Sequence, residues 1–273
     1  MIHQTIVFAP HSWGLTHVGR SLMVAQELQR RGFRCVFVGD GPYVLPEESP
    51  VRAAGFEVHP LIDLTKAPVT AQGFDVHTAT SLRRLVSAER EMIQHLKPAV
   101  IVSDFRPSIH VSAAIENVGV VALTSTRWTH YWGNRLMPPH EHALTIQVTK
   151  LVGRTLGRAM LRPLAPGIWE RIFQGNVRLY NDLLAEHGLP PHDDFLRLLE
   201  GSVATYLTDA PDGCKTKTHL PPQIRVAGPL YWTAPPSPGW DDELPRDKPW
   251  LYLSAGSTAS ADLFPSLFQE LGG

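Results

Sequence analysis

The chain is poor in cysteine, in net charge and in long apolar runs, and each shortage removes a class of protein. Only Cys35 and Cys214 occur among 273 residues. Cys35 sits in the apolar run Arg34-Cys35-Val36-Phe37-Val38, Cys214 in the polar turn Asp212-Gly213-Cys214-Lys215, and neither has the CxxC spacing of a redox or zinc site. A disulfide-stapled secreted scaffold is excluded, and a reducing cytosol is the expected home. A formal net charge of -1 argues against a nucleic-acid binder, which carries a basic excess. No apolar run approaches the roughly 18 residues of a membrane span. No signal-peptide pattern precedes Thr5, where strand-like residues begin, so the protein is expected to be cytoplasmic.

What is present is a packed α/β pattern, with 43% hydrophobic and 19% charged residues. Apolar runs at Thr5–Ala9, Arg34–Gly39, Phe56–Leu61, Ala99–Ser103 and Val120–Thr124 alternate with helix-period segments, which implies βαβ units around a parallel sheet. Val18, Leu22, Ala25 and Leu28 give Val18–Arg31 a helical stripe, ended by Gly32. Thr78–Leu96 and Ser108–Val118 are two further crossover helices, and Pro98 follows the first of them. Ala143–Leu161 and Ile168–His187 read as a helical insertion, after which Val203–Thr208 and Ile224–Ala227 resume as strands. The expected architecture is an α/β, Rossmann-like doubly wound parallel sheet spanning residues 1–228. Residues 229–249, crowded with proline and tryptophan, read as a linker. Residues 250–273, with a strand at Trp250–Ser254 and an amphipathic segment at Leu263–Leu271, read as the start of a truncated second domain.

In a doubly wound sheet, ligands bind beyond the carboxyl ends of the strands where the order reverses. Order 3-2-1-4-5 makes the first and fourth strands neighbours there, so loop residue His17 and strand-end residue Asp104 are expected to meet. A carboxylate accepting from one ring nitrogen of a histidine fixes the tautomer in which the other nitrogen can take a proton from a substrate hydroxyl. The blander alternatives are an unpaired histidine at a helix start and an aspartate capping Ser108–Val118. The loop holds Gly14 and Gly19 but no G-x-G-x-x-G, so a dinucleotide enzyme is not expected.

Two other features stand out. Lys150, Arg154, Arg158 and Arg162 recur every fourth residue, opposite Leu144, Val148, Leu151 and Leu156. The preferred reading is a solvated helix face, and the sharper one is peripheral contact with a membrane. His140-Glu141-His142 lacks a third partner at metal spacing, and no metal is expected.

Four segments in order resemble GT-B glycosyltransferases, including the family 1 UDP-glycosyltransferases and their family 28 relatives. They are Gly14-Leu15-Thr16-His17 through Gly32-Phe33, Lys97–Asp104, Gly119–Thr124 with Trp128 and Pro138-Pro139, and Lys248–Ser257. The resemblance implies an inverting sugar transfer from a nucleotide-sugar, a UDP- or dTDP-sugar, without another cofactor. It implies His17 as base and Asp104 as its orienting acid. Trp13, Arg106, Trp128, Tyr131 and Trp132 are expected at a small or lipophilic acceptor, and Gly14, Gly256 and Ser257 at the donor. Leu15-Thr16 departs from the glycine that precedes the histidine in the family. The Gly-rich donor signature is absent. The competing readings are a non-catalytic acceptor-binding subunit that works with a separate donor-domain chain, and a sugar-nucleotide epimerase of the same fold.

Overall fold

A computed structural model of the chain describes residues 4–61, 78–132, 143–209, 216 and 219–233. Seven parallel strands form one sheet in the order β3-β2-β1-β4-β5-β6-β7. They are β1 (Thr5–Pro10), β2 (Arg34–Gly39), β3 (Glu57–Pro60), β4 (Val100–Asp104), β5 (Val120–Thr124), β6 (Ala204–Leu207) and β7 (Ile224–Val226). The doubly wound parallel sheet read from the sequence is therefore the observed one. The linker beyond residue 233, the segment 250–273, Cys214 and His140-Glu141-His142 lie outside the described residues.

Both faces of the sheet are covered because successive side chains of a strand point to opposite faces. Ile6 and Phe8 of β1 pack with Val18 and Leu22 of helix α1 (Leu15–Arg30) and with Cys35 and Phe37. Val7 and Ala9 join Met92 and Ile93 of α3 (Ala79–Leu96) and Ile109 of α4 (Pro107–Ile115) on the other face. A short α2 (Pro50–Ala53) leads into β3. Two further helices, α7 (Ala165–Glu186) and α8 (Phe195–Leu198), pack Phe173, Val177, Leu184 and Phe195 against Leu82, Val86 and Val111 as an outer layer.

Local chemistry sets the element ends. Thr78 caps α3 by accepting a hydrogen bond from the Ser81 N–H at 3.1 Å, and the helix stops where Lys97 turns left-handed at φ 46° before Pro98. Gly39 and Gly41 matter for close approach. A Cβ at Gly39 would lie 2.7 Å from Cβ of buried Ser12, and one at Gly41 would lie 2.3 Å from its carbonyl oxygen. These glycines let the loop after β1 lie on the end of β2, where the Gly41 N–H donates to Ser12 Oγ at 3.1 Å.

Two sequence expectations need correction here. Helix α1 begins at Leu15 rather than Val18, so His17 belongs to its first turn and not to a free loop. The expected helix Ala143–Leu161 is two helices, α5 (Ala143–Val152) and α6 (Arg154–Leu161), broken at Gly153 with φ 83°, a conformation open to glycine. The basic stripe therefore does not run along one continuous helix.

Candidate functional site

The register of β1 against β4 builds the site. Pro10 pairs with Asp104, and the His11 N–H donates to the Asp104 carbonyl at 2.8 Å, so the chain leaves β1 beside the end of β4. The first turn of α1 then returns His17 to that strand end. His17 Nδ1 stands 2.6 Å from Asp104 Oδ1, although 87 residues separate them. The Asp104 side chain has no exposed surface, while 21% of the His17 side chain is exposed. His17 has a partner, and the N-cap position of α4 is Arg106 rather than Asp104, with no side-chain cap hydrogen bond there.

Glycine at position 14 makes room for this imidazole. A Cβ there would stand 2.5 Å from Cδ2 and 3.5 Å from Nε2 of His17, so any side chain would crowd the ring edge that faces away from Asp104. Gly14 also serves as N-cap, its carbonyl accepting from the N–H groups of His17 and Val18 at 3.0 and 3.1 Å. The structure thus brings Gly14 to the imidazole edge. Gly256 and Ser257 lie outside the described residues.

Phe105 closes one side of the ring. Its plane lies 21° from that of His17 with centroids 5.5 Å apart, and Trp128 packs against it at 4.9 Å. The His11 ring meets His17 edge-on at 5.6 Å. Phe105 has φ 57°, a left-handed conformation that a bulky side chain adopts only where its surroundings impose it. The next residue in sequence is buried and paired. Arg106 is 4% exposed and donates from Nε to Glu89 Oε1 at 2.8 Å, and the hydroxyls of Ser108 and Ser112 donate to the same carboxylate at 2.7 and 2.6 Å. Arg106 is therefore a buried anchor behind the strand end, not a residue facing an acceptor, because its guanidinium leaves water to pair with Glu89.

The aromatic candidates separate in the same way. Trp13, Trp128 and Trp132 are half-buried, and the indole N–H groups of Trp13 and Trp132 are buried without an acceptor among the described residues. Trp128 ends a one-turn helix, Thr126–Trp128, in which the Thr126 N–H donates to the Asp209 carboxylate. Tyr131 is a core residue instead. It is 8% exposed, packs with Leu207 and Ile224, and its hydroxyl accepts from Arg197 at 2.9 Å.

Sequence reasoning missed Arg20, Phe105 and Glu89. Arg20 donates from Nε to Asp104 Oδ2 at 2.8 Å and from Nη2 to Oδ1 at 2.7 Å, a two-point grip on the dyad's acid. Its signal was present, since it follows His17 by three residues on one helix face. Glu89 had a signal too, as an acid on the apolar stripe formed by Leu82, Leu85, Val86, Met92 and Ile93. Nothing in the sequence marks Phe105 for a left-handed turn.

Comparison with known proteins bears on the fold and the family likeness. No family model matches the chain. Over 276 residues it is 26% identical to a protein of Mycobacterium bovis named an inactive PGL/p-HBAD biosynthesis glycosyltransferase, covering 98% of this chain and 71% of that one. It is equally similar, at 26%, to a PGL/p-HBAD biosynthesis glycosyltransferase of Mycobacterium tuberculosis, covering 98% of this chain and 60% of the relative. Two solved structures share the fold. The spinosyn forosaminyltransferase SpnP superposes with a TM-score of 0.54 at 14% identity, over 99% of this chain and 62% of its own. The calicheamicin glycosyltransferase CalG4 does so with 0.51 at 20% identity, over 84% and 52%. The chain resembles GT-B glycosyltransferases in both sequence and fold. It spans 71% or less of the length of these relatives.

Proposed function

We propose that the chain is the acceptor-binding part of an inverting glycosyltransferase, with His17 as general base and Asp104 as the acid that orients it. The observation that carries this reading is the 2.6 Å contact between His17 Nδ1 and Asp104 at the carboxyl end of the sheet. With Nδ1–H donating to the carboxylate, Nε2 is left with a lone pair. The acceptor hydroxyl gives its proton to Nε2 as its oxygen attacks the anomeric carbon. The bond from that carbon to the donor's phosphate oxygen breaks, and the nucleoside diphosphate leaves with the electron pair. One displacement inverts the configuration. Trp13, Trp128, Trp132 and Phe105 supply apolar surface on the acceptor side. The donor, a UDP- or dTDP-sugar, falls to the segment from residue 250 onward, with Gly256 and Ser257 at its phosphates. The segment 229–249 serves as the linker to it.

The test is transfer by the full-length protein from labelled UDP- and dTDP-sugars to a panel of hydrophobic alcohols. His17→Ala is expected to lower the rate by about 10²–10⁴-fold while the thermal midpoint stays unchanged. Full activity in that variant removes the base assignment. A parent protein that binds acceptors but transfers nothing supports a non-catalytic acceptor-binding subunit, a reading favoured by the relative whose name marks it as inactive.

A lipophilic acceptor met at a membrane surface is the form of this function that α5 and α6 favour. Their buried positions are Thr145, Gly157 and Leu161, whereas Leu151 is 83% exposed and Leu144, Ile146, Leu156, Met160 and Leu164 are exposed with it. Lys150, Arg154 and Arg162 are exposed among them, and no acid occurs from 143 to 169. Apolar side chains beside cations, in a stretch of sequence without acids, suit the interface of an anionic bilayer. No helix of the described residues is long and apolar enough to cross one. The protein is expected to sediment with phosphatidylglycerol vesicles and to lose that binding in Leu151→Ser/Leu156→Ser. Parent protein that stays in the supernatant rejects the contact.

A further inference from the structure

The described groups packed around the His17 imidazole are Asp104 from β4, Arg20 from α1, His11 from the loop between β1 and α1, and the neutral ring of Phe105. Arg20 is the cation in this set that is charged at every working pH. Its fork grips both oxygens of Asp104, at 2.8 and 2.7 Å, and its Nη2 also stands 3.0 Å from His17 Nδ1. With 17% of its side chain exposed, Arg20 is largely shielded from the water that would screen its charge.

Hydrogen-bond roles at this point follow from chemistry. Asp104 Oδ1 can only accept, so at 2.6 Å Nδ1 must carry the proton. Nη2 and Nδ1–H are then two donors converging on one oxygen. Their 3.0 Å approach is tolerated by a neutral imidazole and opposed once that ring becomes a cation. A dyad of one acid and one imidazole ends proton transfer as a neutral ion pair. With the guanidinium included, the group starts neutral and ends with charge +1.

We propose that Arg20 is a positioning residue of this site, which holds the Asp104 carboxylate in the plane that sets the His17 tautomer. The proposal rests on the reading of His17 as the base. It implies a base whose acid partner cannot rotate away. The fork provides the orientation, so a change that keeps the charge but removes the fork tests it.

The experiment observes His17 in the full-length protein at mildly alkaline pH, with the histidine ring nitrogens labelled with ¹⁵N, by long-range proton–nitrogen spectra assigned with His17→Ala. The parent is expected to show the Nδ1–H tautomer, held by the contact with Asp104. Arg20→Gln removes the grip on both carboxylate oxygens and is expected to lower the Nδ1–H population. Arg20→Lys keeps the charge without the fork, so the population falls there too. An unchanged population in Arg20→Gln, or one kept in full by Arg20→Lys, overturns the proposal. In an active enzyme kcat falls with that population while the acceptor KM holds. If the parent transfers no sugar, the base assignment of His17 falls and the tautomer still decides whether Arg20 acts on it.

Discussion

At the carboxyl end of β4, charged side chains that leave water meet partners: Arg20 meets Asp104, Arg106 meets Glu89, and two serine hydroxyls complete the Glu89 carboxylate. The hairpin of α5 and α6 does the reverse. It turns Thr145 and Gly157 inward and leaves Leu151 and Leu156 in solvent. A Cβ at Gly157 would stand 3.0 Å from Cα of Thr149, so these helices approach closely at Gly157, and Leu161 is their one large buried apolar side chain among the described residues. The contrast teaches where rigidity was needed. Buried ion pairs hold their geometry because misplacing them is costly, which suits the proton transfer proposed for His17. The membrane contact proposed for the hairpin needs only exposed hydrocarbon and cations.

The sharpest way to break the first half of this comparison is at Glu89. Glu89→Ala leaves Arg106 buried without its anion, and a loss of about 3–5 kcal/mol of stability is expected in urea unfolding. The left-handed turn at Phe105 should relax with it, seen as altered packing of Phe105 on Trp128. A loss below about 1 kcal/mol would mean that the ion pair does not hold the turn.

Acidification probes the same region more gently. Burial, with His192 nearby, pushes His110 from the ordinary 6.5 down to about 4, against a hydrogen bond to the Glu200 backbone. His192 is lowered by burial as well. The unfolded chain therefore takes up protons below about pH 6.5 that the folded chain refuses until about pH 4. Stability is complete above the unfolded value and declines as pH falls through that window, by about 3 kcal/mol from His110. Unfolding curves at several pH values across the window measure the slope. His110→Gln should flatten it, and an unchanged slope would assign it elsewhere.

The smallest effect belongs to the hairpin. Leu151→Ser and Leu156→Ser should each change stability by no more than about 0.5 kcal/mol, since neither side chain is buried. A loss of about 2 kcal/mol or more at either would show that the leucine packs against protein, and the contrast between the two regions would disappear.

Much of the sheet was legible because buried parallel strands carry unbroken apolar runs. Arg34–Gly39 and Val120–Thr124 were read with their observed ends. The meeting of His17 and Asp104 was legible for a topological reason, since the usual doubly wound order, 3-2-1-4-5, makes β1 and β4 neighbours, as observed. The break at Gly153 was hidden because the apolar spacing continues across it. Arg106 and Tyr131 were assigned to the acceptor because side-chain type says nothing about direction, and both turn inward to partners on other elements.

The sequence by itself determined the order of strands and helices, the stripe of α1 and the two residues at the switch point. Periodicity and connection handedness are local or combinatorial properties, and a linear string carries them. Only the tertiary structure decided that Arg20 grips Asp104, that Glu89 pairs with Arg106 beside the left-handed Phe105, and that Leu151 faces out. Each of these depends on which groups share a few ångströms after the chain has closed on itself, where removal from water makes the choice of partner energetically decisive.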